Sequence, residues 1–135
     1  MQIEELVQRQ RAFYSTGTTL PVEFRMEALR KLKAEIRAME PEIDRALEQD
    51  LGKSGMESYM CEVGMTLSEL SDLLAHTPAY FRPHRAATPL AQFHASSFTL
   101  AEPYGVVLVM SPWNYPFLLT LEPCLLYTSD AADDL

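Results

Sequence analysis

Through the N-terminal half, apolar residues fall at helical spacing. Ile3, Leu6, Val7 and Phe13 mark one face of a first helix that closes at Gly17, where glycine takes a left-handed cap at little cost. From Pro21 onward, Leu29, Leu32, Ile36, Met39, Ile43 and Leu47 recur at three- and four-residue steps, while Arg, Lys and Glu fill the other face. Such a stripe is a packing surface. Pro41 lies inside this stretch without an N–H to donate, so the helix is expected to end near Met39 and restart with Pro41 in its first turn. Leu51-Gly52 reads as a further C-cap, and Ser54-Gly55-Met56-Glu57 as a capping box that opens another helix. Tyr59, Val63, Leu67, Leu70 and Leu74 form its buried stripe, and Pro78 disturbs its end. Met60 and Met65 are expected as core filler, because thioether side chains suit irregular gaps.

From Arg82 to Ser96 the pattern dissolves into Pro, Ala, Gln, Thr and His, as in a linker over the surface. Ser97-Phe98-Thr99-Leu100-Ala101 then alternates as a half-exposed strand would. The stretch Tyr104 to Phe117 reads YGVVLVMSPWNYPF. Its apolar run, Val106 to Val109 followed by Met110, suits a strand buried on both faces, as in a parallel sheet covered by helices; a buried helix segment is the competing reading. β-branching and length favour the strand. The turn that follows, Ser111-Pro112-Trp113-Asn114-Tyr115-Pro116, would sit at the carboxyl end of that strand, where open α/β sheets bind ligands.

Composition narrows the function classes. The chain has 135 residues, 47% hydrophobic and 22% charged, which is the profile of a globular domain. A net charge of −8 argues against a nucleic-acid or anionic-membrane partner, since either needs clustered Lys and Arg. No apolar run suits a membrane span, and MQIEELVQRQ is too acidic and polar for a targeting peptide, so the cytoplasm is the expected compartment. Cys61 and Cys124 make neither a metal-ligand pair nor a disulfide framework. His76, His84 and His94 lack metal-ligand spacing, and no metal site is expected. Gly17, Gly52, Gly55, Gly64 and Gly105 form no phosphate-binding G-x-G-x-x-G.

EPYGVVLVMSPWNYPF, Glu102 to Phe117, resembles the first sheet strand and following loop of the aldehyde dehydrogenase superfamily, and is most similar to its class 3-like, fatty-aldehyde branch. A weaker similarity extends upstream, including ALEQDLGKS at Ala46 to Ser54. The resemblance implies an α/β fold in which residues 1–123 are the N-terminal part of a Rossmann-like NAD(P)-binding domain: helices over about 2–81, a linker and strand over about 82–101, and the first sheet strand and loop at 105–117. After Pro123 the family continues a small-residue helix into a second strand, whereas this chain carries Asp130, Asp133 and Asp134. A foreign or frameshifted tail over 124–135 is the expectation, with a native solvated terminus as the alternative.

The activity implied is oxidation of an aldehyde to a carboxylic acid with NAD or NADP through a cysteine thiohemiacetal. By resemblance, Asn114 matches the position whose side-chain N–H steadies the developing oxyanion, and Ser111, Pro112 and Trp113 match positions beside the nicotinamide ribose. From the residues alone, a turn asparagine bonded to its own backbone is the favoured reading of Asn114, and Trp113 could equally be a core anchor. The family's nucleophilic cysteine and general-base glutamate belong to later segments, so Cys124 is not read as catalytic and the 135-residue chain is expected to be inactive. A homodimer or homotetramer of the full-length parent is likewise implied by resemblance. Alternatives are an acylating or semialdehyde-specific dehydrogenase of the same superfamily, or a non-catalytic helical interaction module.

Overall fold

The computed structural model describes residues 2–129. Helix α1 (Ile3–Ser15) is followed by Gly17 at φ +73°, and α2 (Val22–Ala38) starts directly after Pro21. The chain breaks at Met39 and α3 (Glu40–Leu51) begins with Pro41 in its first turn, the restart that the missing proline N–H predicts. Gly52 closes α3 at φ +68°. Ser54 then accepts the Glu57 N–H at 3.3 Å and caps α4 (Gly55–Ser58). One π turn, Tyr59–Val63, joins α4 to α5 (Gly64–Tyr80), and α5 runs past Pro78 to its end.

The core lies between α2, α5 and a last helix, α6 (Leu118–Ser129). Leu29 and Ile36 from α2 meet Val63, Leu67, Leu70 and Leu73, and Leu125 of α6 closes the cluster. Each fully buried side chain of this kind contributes about 1.5–3 kcal/mol, which is why packing rather than helix propensity fixes the arrangement. Helix α6 passes through Pro123 and delivers Leu125 to the core; of the stretch expected as a foreign tail, residues 130–135 lie outside the described residues.

Several expectations need correction. Tyr59, Met60 and Met65 are exposed rather than core residues, because the π turn adds a residue to the helical repeat and shifts the stripe around the axis. The presumed linker contains a strand, β1 (His84–Ala86), which pairs antiparallel with β2 (Ser97–Thr99) in the register His84 to Thr99. Val106 to Met110 forms no strand ladder with any described residue, and Leu108 and Met110 are 82% and 85% exposed. A strand buried on both faces needs partners along its edges and cover over its faces. The strands present among the described residues, β1 and β2, pair with each other instead. What holds this segment in place is α1: Tyr14 donates its hydroxyl to the Pro103 carbonyl at 3.0 Å, and Gly105, at φ +90°, passes so close to the Tyr14 ring that a Cβ would lie 3.3 Å from it.

Candidate functional site

The loop Ser111 to Phe117 leads from that segment into α6. Ser111 Oγ lies 2.5 Å from Thr120 Oγ1, which ties the start of the loop to the first turn of the helix. Pro112, Trp113 and Asn114 are exposed, and Trp113 at 90% is no core anchor. Of the four residues expected at the site, these three are exposed and Ser111 is half-buried. The Asn114 side chain makes no hydrogen bond among the described residues, so the amide is not consumed by its own turn.

Beneath the loop sits a pair of charges. Glu62 is 0% exposed and lies against the Lys53 ammonium, whose side chain is 8% exposed. The other carboxylate oxygen of Glu62 accepts the backbone N–H of Phe117 at 2.8 Å and of Leu118 at 3.2 Å. Lys53 Nζ also donates to the Asn114 carbonyl at 3.0 Å and stands 4.2 Å from the centroid of the Tyr115 ring. Both charges are therefore paired and hydrogen-bonded, as burial requires. The anion lies at the N-terminal end of α6, where the helix dipole and two otherwise unpaired amides favour it.

Local sequence explains how each partner arrives. Gly52, in its left-handed cap, turns the chain so that Lys53 points inward from the end of α3. Glu62 lies in the π turn, whose wider winding is possible because Gly64 has no side chain: a Cβ there would lie 2.7 Å from the Tyr59 carbonyl oxygen. Ser58, buried one turn earlier, donates to Asp44 Oδ1 at 2.5 Å and joins α4 to α3.

Neither Lys53 nor Glu62 was singled out from the sequence, yet a signal was there. Glu62 falls at i+3 from Tyr59, which the spacing assigns to the buried stripe, and precedes Thr66 by four. An ionisable residue on a buried stripe implies a buried counter-charge. Cys61 and Cys124 are half-buried and unbridged, and no group of acidic, His and Cys side chains among the described residues could hold a metal ion.

The aldehyde dehydrogenase family model matches residues 1–126. The chain belongs to the aldehyde dehydrogenase family, an oxidoreductase family. It is 37% identical over 123 residues to 4,4'-diaponeurosporen-aldehyde dehydrogenase of Staphylococcus aureus, covering 91% of this chain and 27% of that protein. It is 39% identical over 124 residues to aldehyde dehydrogenase family 3 member H1 of Arabidopsis thaliana, covering 92% of this chain and 26% of the relative. Among solved structures, a substrate-bound state of Staphylococcus aureus AldH superposes with a TM-score of 0.94 at 35% identity, covering 97% of this chain and 29% of the other. The chain thus spans about a quarter of the length of these relatives, and its fold is that of an N-terminal aldehyde dehydrogenase segment.

Proposed function

We propose that this chain is the loop-bearing N-terminal part, residues 1–123, of an NAD(P)-binding domain in an enzyme that oxidises aldehydes to carboxylic acids. The observation that carries the proposal is the loop itself: Trp113 presents an exposed indole and Asn114 an unengaged amide, with Ser111 held by Thr120 and the loop fixed from below by buried charges. Asn114 is assigned the oxyanion-steadying donor. A carboxamide suits that task, because it donates without titrating and carries no charge of its own. Ser111, Pro112 and Trp113 are assigned one wall of the dinucleotide site. The exposed Trp113 ring fits the planar, partly apolar surface of such a ligand, and when bound NAD(P)+ supplies the hydride acceptor.

The substrate is a small-molecule aldehyde, and the name of one relative, which specifies a diaponeurosporen aldehyde, favours an apolar one. No helix among the described residues is long and apolar enough to cross a membrane. The cytoplasm is proposed on the unbridged cysteines and the net charge of −8, and homo-oligomeric assembly on family membership.

The test is a full-length chimera in which residues 1–123 replace the matching segment of the staphylococcal AldH. It should form NAD(P)H on addition of an apolar aldehyde, and the 135-residue chain alone should not. A folded, cofactor-binding chimera that does not oxidise aldehydes would defeat the proposal.

A further inference from the structure

We propose that Lys53 and Glu62 are positioning residues for the reaction, acting through the main chain of the Asn114 loop; this rests on the assignment of Asn114 above. An oxyanion donor must be held to within about 0.5 Å of its productive position, and a donor on a loop needs supports with locked rotamers of their own. The outer face of this loop supplies none, since Pro112, Trp113 and Asn114 are all exposed. The support comes from the inner face. Lys53 fixes the peptide plane between Asn114 and Tyr115 by donating to the Asn114 carbonyl, and Glu62 fixes the two amides at Phe117 and Leu118. The ion pair between the two side chains joins these clamps, so three main-chain groups on either side of Tyr115 and Pro116 are referred to one buried point.

Two further observations favour positioning over simple stability. A buried ion pair is often matched or exceeded in stability by apolar residues of similar volume, so its distinct contribution is directional. Glu62 also sits in a π turn, a departure from α-helical winding that re-aims one side chain, and Gly64 is required to permit it. Both devices converge on the loop.

The test is a mutant cycle in the chimera, with kcat, aldehyde KM and NAD(P)+ affinity measured beside melting temperature. Lys53→Arg keeps charge and donors but moves the contact point, and Lys53→Met removes them. Lys53→Met should lower kcat by roughly 10- to 100-fold, the scale of a misplacement near 1 Å, with cofactor affinity little changed. Lys53→Arg should lose kcat without losing thermal stability. In an Asn114→Ala background the Lys53 substitutions should have almost no further effect on kcat, because the group they position is gone. Should Lys53→Met not fold, Lys53→Met with Glu62→Gln leaves no buried charge alone and enters the same cycle, while Lys53→Arg reads the effect independently. Full multiplication of the Lys53 and Asn114 losses, or wild-type kcat in Lys53→Arg, would overturn the positioning role while leaving the assignment of Asn114 intact. Near-wild-type turnover in Asn114→Ala would instead overturn that assignment.

Discussion

The Leu118 N–H donates to a carboxylate oxygen of Glu62 at 3.2 Å, so α6 is capped at its first residue by a side chain from a different helix. A cap drawn from a distant element couples two packing events. The contact of α6 with α5 and the winding of the π turn thus share one carboxylate, which the Lys53 ammonium neutralises. Glu62→Ala strands the Lys53 ammonium and frees two amides at once. The expected loss of unfolding free energy in the chimera is about 3–5 kcal/mol, the scale for breaking a buried pair. Lys53→Met combined with Glu62→Gln should cost less than Glu62→Ala alone. Urea titrations of the variants measure this, and a loss below about 1 kcal/mol for Glu62→Ala would show that the cap carries little.

Two glycines at helical positions should respond in opposite directions to the same substitution. Alanine normally favours a helix by about 0.8–1.0 kcal/mol over glycine. At Gly55 the nearest atom to an added Cβ is an Asp44 carboxylate oxygen at 3.9 Å, so Gly55→Ala should be neutral or stabilising. At Gly64 the Cβ would meet the Tyr59 carbonyl oxygen at 2.7 Å, a backbone atom that cannot move alone. Gly64→Ala should therefore destabilise by about 1–3 kcal/mol, on the scale of overpacking. Melting curves of the two variants give the comparison. Stabilisation by Gly64→Ala would mean that the π turn relaxes without penalty.

The helical half of the fold was legible because its rules are local. Proline lacks a donor, glycine tolerates positive φ, and Ser54 needs only Glu57 three residues on; Pro21, Pro41, Gly17 and Gly52 all act where the sequence places them. The expected strand at Val106 to Met110 finds no ladder among the described residues, because strand formation is not local: an apolar run specifies burial, while pairing depends on neighbours that no described residue provides. Tyr59 and Met60 were misplaced for a third reason, since a π turn breaks the 3.6-residue period on which stripe assignment depends. At the site, the loop could be recognised by its residues. Its support was signalled only by Glu62 at stripe spacing; that Lys53 and Asn114 join it could not be read, because the three are brought together only by the packing of helices.

Glu69 offers a pH test of the α5–α6 contact. Burial raises its pKa first, and the neighbouring carboxylates of Asp72 and Glu122 raise it further. Glu122 lies on α6, so the repulsion crosses the helix interface. With the folded-state pKa above the unfolded one, folding favours the protonated acid. That contribution is complete below the ordinary glutamate range and is lost as pH rises through the raised value. Glu69→Gln keeps the neutral shape and should abolish this part of the pH dependence. The melting temperature of the variant should match the wild type in acid and exceed it by a difference that grows as pH rises through the raised value and is constant above it. Parallel pH profiles for the two proteins would show that Glu69 ionises at no cost to the fold.

Asn114 is where chemical and structural roles give different rankings. If its amide donates to an oxyanion as charge develops, Asn114→Ala in the chimera should lower kcat by roughly 10²- to 10³-fold with little change in cofactor affinity. Asn114→Asp should be at least as harmful, since it sets a negative charge against a negative oxygen. A turn-forming asparagine predicts the reverse order: aspartate makes the same turns and would be tolerated, while alanine would mainly lower stability. The exposed side chain makes no hydrogen bond among the described residues, so neither substitution should shift the melting temperature much, and kinetic effects can be read without a folding correction. The anchor on this loop is the Asn114 carbonyl, a main-chain group that survives both substitutions with its bond from Lys53 intact. Steady-state and burst kinetics on the two variants, with melting curves alongside, decide between the roles. Near-wild-type turnover in Asn114→Asp would remove Asn114 from the chemistry and leave it a loop residue held by Lys53.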